Sequence, residues 1–250
     1  LKNSGIGVES YKISSDGTST KCELLIPKEI RPQEITTNIK QEIIRQVEGL
    51  PTFPKHIIEL QRLCHDPDSS INEIANKIMV DPALTSEVMK LSNSAGFITS
   101  KRIDNINEAV MTIGLKNLNA ILMATSARQI LDKRFSKYEQ IWNHCNKTAY
   151  YARLLAIKFR LQKIVENVYL AGLLHDLGKI VLLSTNLELT NWISDIVNNR
   201  KIRTSTIMEE VSIGISHSSI GEMIAKHWSF PDYLVESIRS HHSPLNSPEE

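Results

Sequence analysis

From Thr37 to Leu131 apolar residues recur three and four places apart, and the pattern breaks only at caps, glycines and prolines. TTNIKQEIIRQVEGL sets Ile39, Ile43, Ile44 and Val47 on one face and stops at Gly49, ahead of Pro51. Pro54 suits the first turn of PKHIIELQRLCH, which stops at Asp66-Pro67. Ser70-Ile71-Asn72-Glu73 is a capping box opening SINEIANKIMV, and Asp81-Pro82 opens ALTSEVMKLSN as cap then proline. Asn105-Ile106-Asn107-Glu108 opens INEAVMTIGL, and LKNLNAILMATSARQIL follows Gly114 at once. From about Tyr138 the chain stays helical through YEQIWNHCNKTAYYARLLAIKF, IVENVYLAGLLHDLGKIVLL, GISHSSIGEMIAKHW and PDYLVESIRSHH. So many short amphipathic segments with tight joints predict an all-α fold, helix packed on helix.

Residues 1–35 read differently. Gly5, Gly7, Gly17, Pro27 and Pro32 predict an arm or linker, with room for one short strand at KCELLI. The most charged break between apolar runs is DKRFSK, at 132–137. It suggests a first helical bundle over 36–134 and a second helical subdomain over 135–250, with one core able to serve both.

Composition narrows the partners. Twenty-nine Lys and Arg against twenty-eight Asp and Glu leave a net charge of +1, too little to draw nucleic acid or an anionic membrane by charge alone. No apolar run reads as the roughly 20 residues a membrane span needs. Cys22, Cys64 and Cys145 form no CxxC pair and point to a reducing, cytoplasmic setting of bacterial type. A chain that starts at Leu1 is expected to be a piece of a longer polypeptide.

SINEIANKIMVDPALTSEVMKL has the outline of a DNA-reading helix-turn-helix. Its second helix, however, offers bases and phosphates one lysine, Lys90, beside one glutamate, Glu87. Two packed helices of a bundle account for it better, and no nucleic acid is expected.

The chemistry concentrates in the histidines. LAGLLHDLGKIVLL, 170–183, is apolar almost throughout, yet sets His175 beside Asp176 with Gly178 and Lys179 after them. Burying an imidazole and a carboxylate there costs several kcal/mol unless each finds a partner. That partner is either a metal ion or a hydrogen-bonded structural pair. His144, His217 and the His241-His242 doublet also lie on or at the ends of helices with core-type neighbours, and a bundle can aim such side chains at one point. His56 and His65, in an early helix, need only capping or surface roles.

With these residues in view, the order His144, His175-Asp176, His217, His241-His242 resembles the HD superfamily of metal-dependent phosphohydrolases. LPTFPKHIIELQRL, DPDSSINEIANKIMVDPALTSEVMKLSNSAGF and INEAVMTIGLKNLNAILMAT narrow the resemblance to the HDOD domain, the HD-related output domain of bacterial signalling proteins, from about Leu50 to His242. That resemblance implies an N-terminal helical bundle packed on an HD-like subdomain, and a regulatory, non-catalytic role. It implies that His144, His175 and Asp176 match three metal positions. His217 and one of His241 or His242 match the second-metal positions of the branch that degrades cyclic di-GMP. The chain departs from the pattern after His242: SPLNSPEE contains no GYP signature and no late aspartate, and Glu249 and Glu250 are poor substitutes in a polar tail.

A bound Fe, Mn, Zn or Ni ion would suit neutral imidazoles and a carboxylate, and the sequence does not choose among them. Hydrolysis would need an acidified water at an open position. Asp176 and Lys179 are the catalytic candidates, with Lys179 either neutralising a phosphate oxygen or simply holding its head in water. There is no glycine-rich phosphate loop and no arginine cluster by the histidines, since Arg153 and Arg160 follow His144 by many residues. Trp142, Trp192 and Trp228 read as core or groove residues. The expectation is a signalling module that acts on other signalling proteins or domains, away from membranes. The alternative is a metal-dependent phosphohydrolase of a nucleotide, cyclic dinucleotide or phosphoester.

Overall fold

Every cap read from the sequence closes the start of a helix. Ser70 Oγ accepts from the Glu73 amide at 3.1 Å to open α3 (Ile71–Met79), and Asp81 Oδ1 accepts from Ala83 and Leu84 to open α4 (Pro82–Ser92). Asn105 Oδ1 accepts from Glu108 at the head of α5 (Ile106–Ile113). Gly114 then turns the chain at φ +78°, a backbone angle that L side chains rarely adopt, so α6 (Leu115–Arg134) starts one residue later. These elements belong to a computed structural model that describes residues 10–15, 20–25, 32–93, 101–135, 138–185 and 205–246, with single helical positions between 190 and 199.

The fold is all-α apart from its arm. There the single strand expected at KCELLI has a partner: β1 (Ser10–Ser15) pairs antiparallel with β2 (Thr20–Leu25), Ser10 opposite Leu25 and Ser15 opposite Thr20. Gly5, Gly7, Gly17 and Pro27 lie outside the described residues, as do Trp192, Glu249 and Glu250. Helix α1 (Pro32–Glu48) begins earlier than the apolar pattern from Thr37 suggested. Helices α2 (Lys55–His65) to α6 form the N-terminal bundle, in which α2 lies on α6 and α3 to α5 pack on one another. The HD-like part contains α7 (Glu139–Lys158), α8 (Val165–Leu174), α9 (Leu177–Thr185), α10 (Thr206–Ile213), α11 (His217–His227) and α12 (Asp232–Ser240).

The two parts interlock. Helix α1 packs on α9, α10 and α11, so the first long helix of the chain covers the HD-like part. Ile43 and Val47 supply its buried face. The segment after α1 is tied down by His227, whose Nε2–H donates to the Leu50 carbonyl at 2.8 Å, and by the Trp228 indole, which donates to Pro51 O at 3.0 Å. Phe53 packs its ring on Trp228 and Phe230 at 5.1 and 5.8 Å. One contiguous apolar core runs from Ile43 to Ile238 through both parts. The charged DKR of the expected break lies inside α6, and the chain leaves the helix only at Phe135. Against the expectation that no run approaches a membrane span, the stretch 162–185 is long and apolar enough by composition. It is nonetheless mostly buried against its neighbours, as core helices are, and it breaks at His175-Asp176.

Two glycines set how closely the HD-like helices approach. A methyl group on Gly172 of α8 would stand 2.6 Å from Ala149 Cα on α7. On Gly178 of α9 it would stand 1.9 Å from the His217 carbonyl oxygen and 2.7 Å from the Gly221 amide of α11. Both obstacles at Gly178 are backbone, which has no rotamer to yield. Gly178→Ala is therefore expected to exceed the roughly 1–3 kcal/mol of ordinary overpacking in urea denaturation. Gly221→Ala meets the Ile238 Cγ2 methyl at 2.6 Å, a side-chain atom rather than backbone, and should stay within that range. Equal losses in the two variants would show that this approach is not what holds α9 to α11.

Candidate metal centre

The apolar stretch around His175 is two helices, with His175 and Asp176 at the joint between α8 and α9. A helix end leaves carbonyls without intrahelical partners. His175 uses one: its Nδ1–H donates to Gly172 O, three residues back, at 2.9 Å. His241 follows α12 in the same way, donating from Nδ1 to Ile238 O at 2.7 Å. Because a carbonyl can only accept, both rings carry the proton on Nδ1 and present Nε2 inward. His217 is the first residue of α11, behind the Ser216 cap. Its Nδ1–H donates at 2.7 Å to Glu209 Oε2, which also accepts the His217 amide at 2.8 Å. A carboxylate at that helix N-terminus suits the exposed amides and the helix dipole.

These rings meet around one carboxylate. Asp176 Oδ1 lies 3.4 Å from His217 Nε2 and 3.5 Å from His241 Nε2. Its Oδ2 lies 3.4 Å from His175 Nε2, 3.6 Å from His144 Nε2 and 2.8 Å from Lys179 Nζ. The imidazole nitrogens are as close to one another: 3.2 Å for His144–His175, 3.2 Å for His217–His241 and 3.0 Å for His217–His242. Asp176 and His217 are buried, whereas the His144 side chain is 57% exposed and forms the rim.

Burial alone would raise the Asp176 carboxyl, but His241, His175, Lys179 and His217 around it outweigh that and hold it well below the usual carboxylate range. Burial likewise works against the Glu209 carboxylate, and its bond with His217 wins, holding it low. Burial lowers His175, and burial with His241 and His217 alongside pushes His242 down to about 4. The centre thus gathers two carboxylates held as anions among imidazole nitrogens, a donor set that attracts a divalent ion of borderline softness.

The residues fit such an ion. Two groups could hold one: Asp176, His217, His241 and His242, and, sharing Asp176, His144 with His175. With bonds of roughly 2.1 Å, neighbouring ligands stand roughly 3.0 Å apart on an octahedron and 3.4 Å on a tetrahedron, close to the 3.0 to 3.6 Å between these nitrogens and oxygens. Asp176 Oδ1 is buried and without a hydrogen-bond donor, an unmet valence that a cation would satisfy.

The structure brings together all six histidine and aspartate candidates, and both His241 and His242 rather than one of them. Lys179 pairs its ammonium with Asp176 at 2.8 Å, from a side chain that is 31% exposed. His56 and His65 stay in the N-terminal bundle, near Asp81 and on the Gln61 carbonyl. Sequence reasoning missed Glu209. Its one available signal was a glutamate on the same face of TIMEEVSI as the apolar Ile213, where both are buried.

The pH dependence follows from these directions. Every shifted group in the centre has a folded-state pKa below its ordinary value, so the unfolded chain binds more protons and stability falls as pH falls. In metal-stripped protein the loss should begin below the ordinary histidine value of 6.5, as His175 and His242 resist protonation. It should steepen below about 4.5 as Glu209 and Asp176 are titrated. Thermal denaturation from pH 8 to 4 with chelator present, compared with Glu209→Gln, checks the sign. A midpoint that rises on acidification would contradict it.

Comparison with known proteins gives the family and the fold. A protein of Treponema pallidum (strain Nichols), itself uncharacterized, is 30% identical over all 250 residues, and the chain spans about half, 48%, of that relative's length. The crystal structure of an HDOD domain protein of unknown function from Geobacter sulfurreducens aligns with a TM-score of 0.69 at 28% identity, over 87% of this chain and 72% of that one. A candidate phosphohydrolase of Shewanella amazonensis SB2B aligns with a TM-score of 0.65 at 25% identity, over 82% of this chain and 73% of its own. The family model of the HDOD domain matches residues 50–244, from the segment that follows α1 to just past the His241-His242 doublet, and the chain belongs to that family.

Proposed function

We propose that the chain is a regulatory output module of a bacterial signalling protein, one that acts by binding another protein and uses its HD centre to hold a divalent ion without turning over a substrate. The observation that carries this reading is the far end of α7. Tyr150, Tyr151, Leu154, Leu155, Ile157, Phe159, Leu161 and Ile164 are all large, apolar and exposed, with Phe159 at 67%. Isolated exposed apolar residues are ordinary, but a run of them marks an interaction surface. Lys147, Lys158, Arg160 and Lys163 are exposed among them. The charge therefore selects an acidic protein surface with an apolar face and disfavours a second copy of the same basic patch.

Support for a non-catalytic centre is local. Lys179, the side chain that would neutralise a phosphate oxygen, pairs with Asp176 at 2.8 Å. Burial holds the Cys145 thiol near 12, so it is no nucleophile. The free Cys64 and Cys145 suit a reducing cytoplasm.

The test is a hydrolysis assay with Mn, Fe, Ni or Zn against cyclic dinucleotides, nucleoside phosphates and simple phosphoesters. Turnover should not exceed that of Asp176→Ala. Robust metal-dependent turnover that vanishes in Asp176→Ala, with circular dichroism unchanged, would make the protein a phosphohydrolase instead. For the surface, Leu155→Glu combined with Phe159→Glu should shift unfolding free energy by no more than about 1 kcal/mol, since both side chains are exposed. The same variant should bind less of an apolar dye. A cooperative loss of structure would mean that this end of α7 is core.

A further inference from the structure

Asp176 gives its two oxygens to unlike surroundings. On the Oδ2 side, His175 has its Nδ1 proton on Gly172 O, so its Nε2 accepts, and His144 can donate to it across 3.2 Å. Oδ2 itself receives the Lys179 ammonium at 2.8 Å. Every group there has a partner without any metal. With the imidazoles neutral, the Oδ1 side cannot be closed in this way. His217 and His241 both have their Nδ1 protons committed, to Glu209 and to Ile238 O, so two Nε2 lone pairs face each other at 3.2 Å. Asp176 Oδ1, at 3.4 and 3.5 Å from them, is a third acceptor. His242 can give one proton to His217, at 3.0 Å. That leaves His241 Nε2 and Asp176 Oδ1 facing each other with no donor between them.

Acceptors turned on one another in a buried site need a cation. The same cation is unwelcome on the other oxygen, where it would share Oδ2 with a fixed ammonium and rely on His144, the most exposed of the donors. The groups are also unequal in number, with four donors on the Oδ1 side and three on the Oδ2 side among the described residues.

We propose that this chain holds one divalent ion, on His217, His241, His242 and Asp176 Oδ1, and that Lys179 takes the place of a second ion beside His144 and His175. The inference rests on the reading that the centre binds a metal, and it reverses the order in which the HD pattern ranks the two positions. Lys179 acts here as a built-in counter-charge. It neutralises the shared carboxylate and keeps the outer position from filling.

Metal analysis of the whole chain tests this, after loading with excess Mn²⁺ and desalting, with electron paramagnetic resonance on the same samples. The expected result is one Mn²⁺ per chain with a mononuclear spectrum. His144→Ala should keep that ion, while His241→Ala and His242→Ala should each lower its affinity at least tenfold, with circular dichroism confirming the fold. Lys179→Met, which keeps the stem and removes the charge, should admit a second ion and give a spin-coupled spectrum. Two ions in the unaltered chain, or an ion lost in His144→Ala and kept in His241→Ala, would overturn the inference and leave metal binding standing. Failure to take up Mn²⁺, Fe²⁺, Ni²⁺ or Zn²⁺ at all would overturn both.

Discussion

The arrangement depends on how closely α9 can lie against α11 at Gly178. No side chain fits between that Cα and the His217 carbonyl, so the start of α11 rests directly on the start of α9. His217, first residue of α11, thereby reaches Asp176, which stands just ahead of α9. Gly172 does the same between α8 and α7, and its carbonyl then orients His175. In LAGLLHDLGK the glycines are therefore as much a part of the centre as the histidine and aspartate between them. A larger residue at either position would separate the donors before it changed any of them.

Assembling the centre carries a desolvation cost, since a buried carboxylate among leucines loses its water. Lys179, one helical turn on, offsets part of it from a half-exposed position. The helix ends offset another part, because His175 and His241 satisfy last-turn carbonyls while being aimed inward. Glu209 completes the scheme by fixing the His217 tautomer, as outer carboxylates do for metal-bound imidazoles. One set of hydrogen bonds thus caps helices and orients donors together, and secondary structure cannot fray there without disordering the site.

Much of this was legible in the sequence, and the rest was hidden for physical reasons. The Ser70, Asp81 and Asn105 caps were readable because a cap is a local event that the next three residues decide. The histidine doublet and His175-Asp176 stood out because such residues are costly among apolar neighbours. The break between α8 and α9 was not readable, since LAGLLHDLGKIVLL contains no proline or capping pattern, and an apolar run looks alike in one helix or two. Glu209 went unread because exposed glutamates are common on helices and only tertiary contact distinguishes a buried one. The packing of α1 on the HD-like helices is a tertiary choice among apolar faces that all read alike.

The two parts of the domain are joined by α1 on α9, α10 and α11 and by α6 against α8, together with Leu50, Pro51 and Phe53 held by His227, Trp228 and Phe230. The centre instead ties α7, the α8–α9 joint, α11 and α12 to one another. Helix α7 belongs to both systems: its middle supplies His144 at the rim, and its far end supplies the exposed apolar run. His217 and His241 are each anchored through Nδ1, on Glu209 and on the Ile238 carbonyl, whereas the histidine on α7 meets the centre at a half-exposed edge, by a nitrogen-to-nitrogen hydrogen bond to His175. A bond of that kind is worth about 1 kcal/mol, far less than the buried contacts around His217. The helix that carries the exposed apolar run thus also carries the donor at the rim of the centre, and Ala149, between them on α7, is the point where α8 rests on it through Gly172.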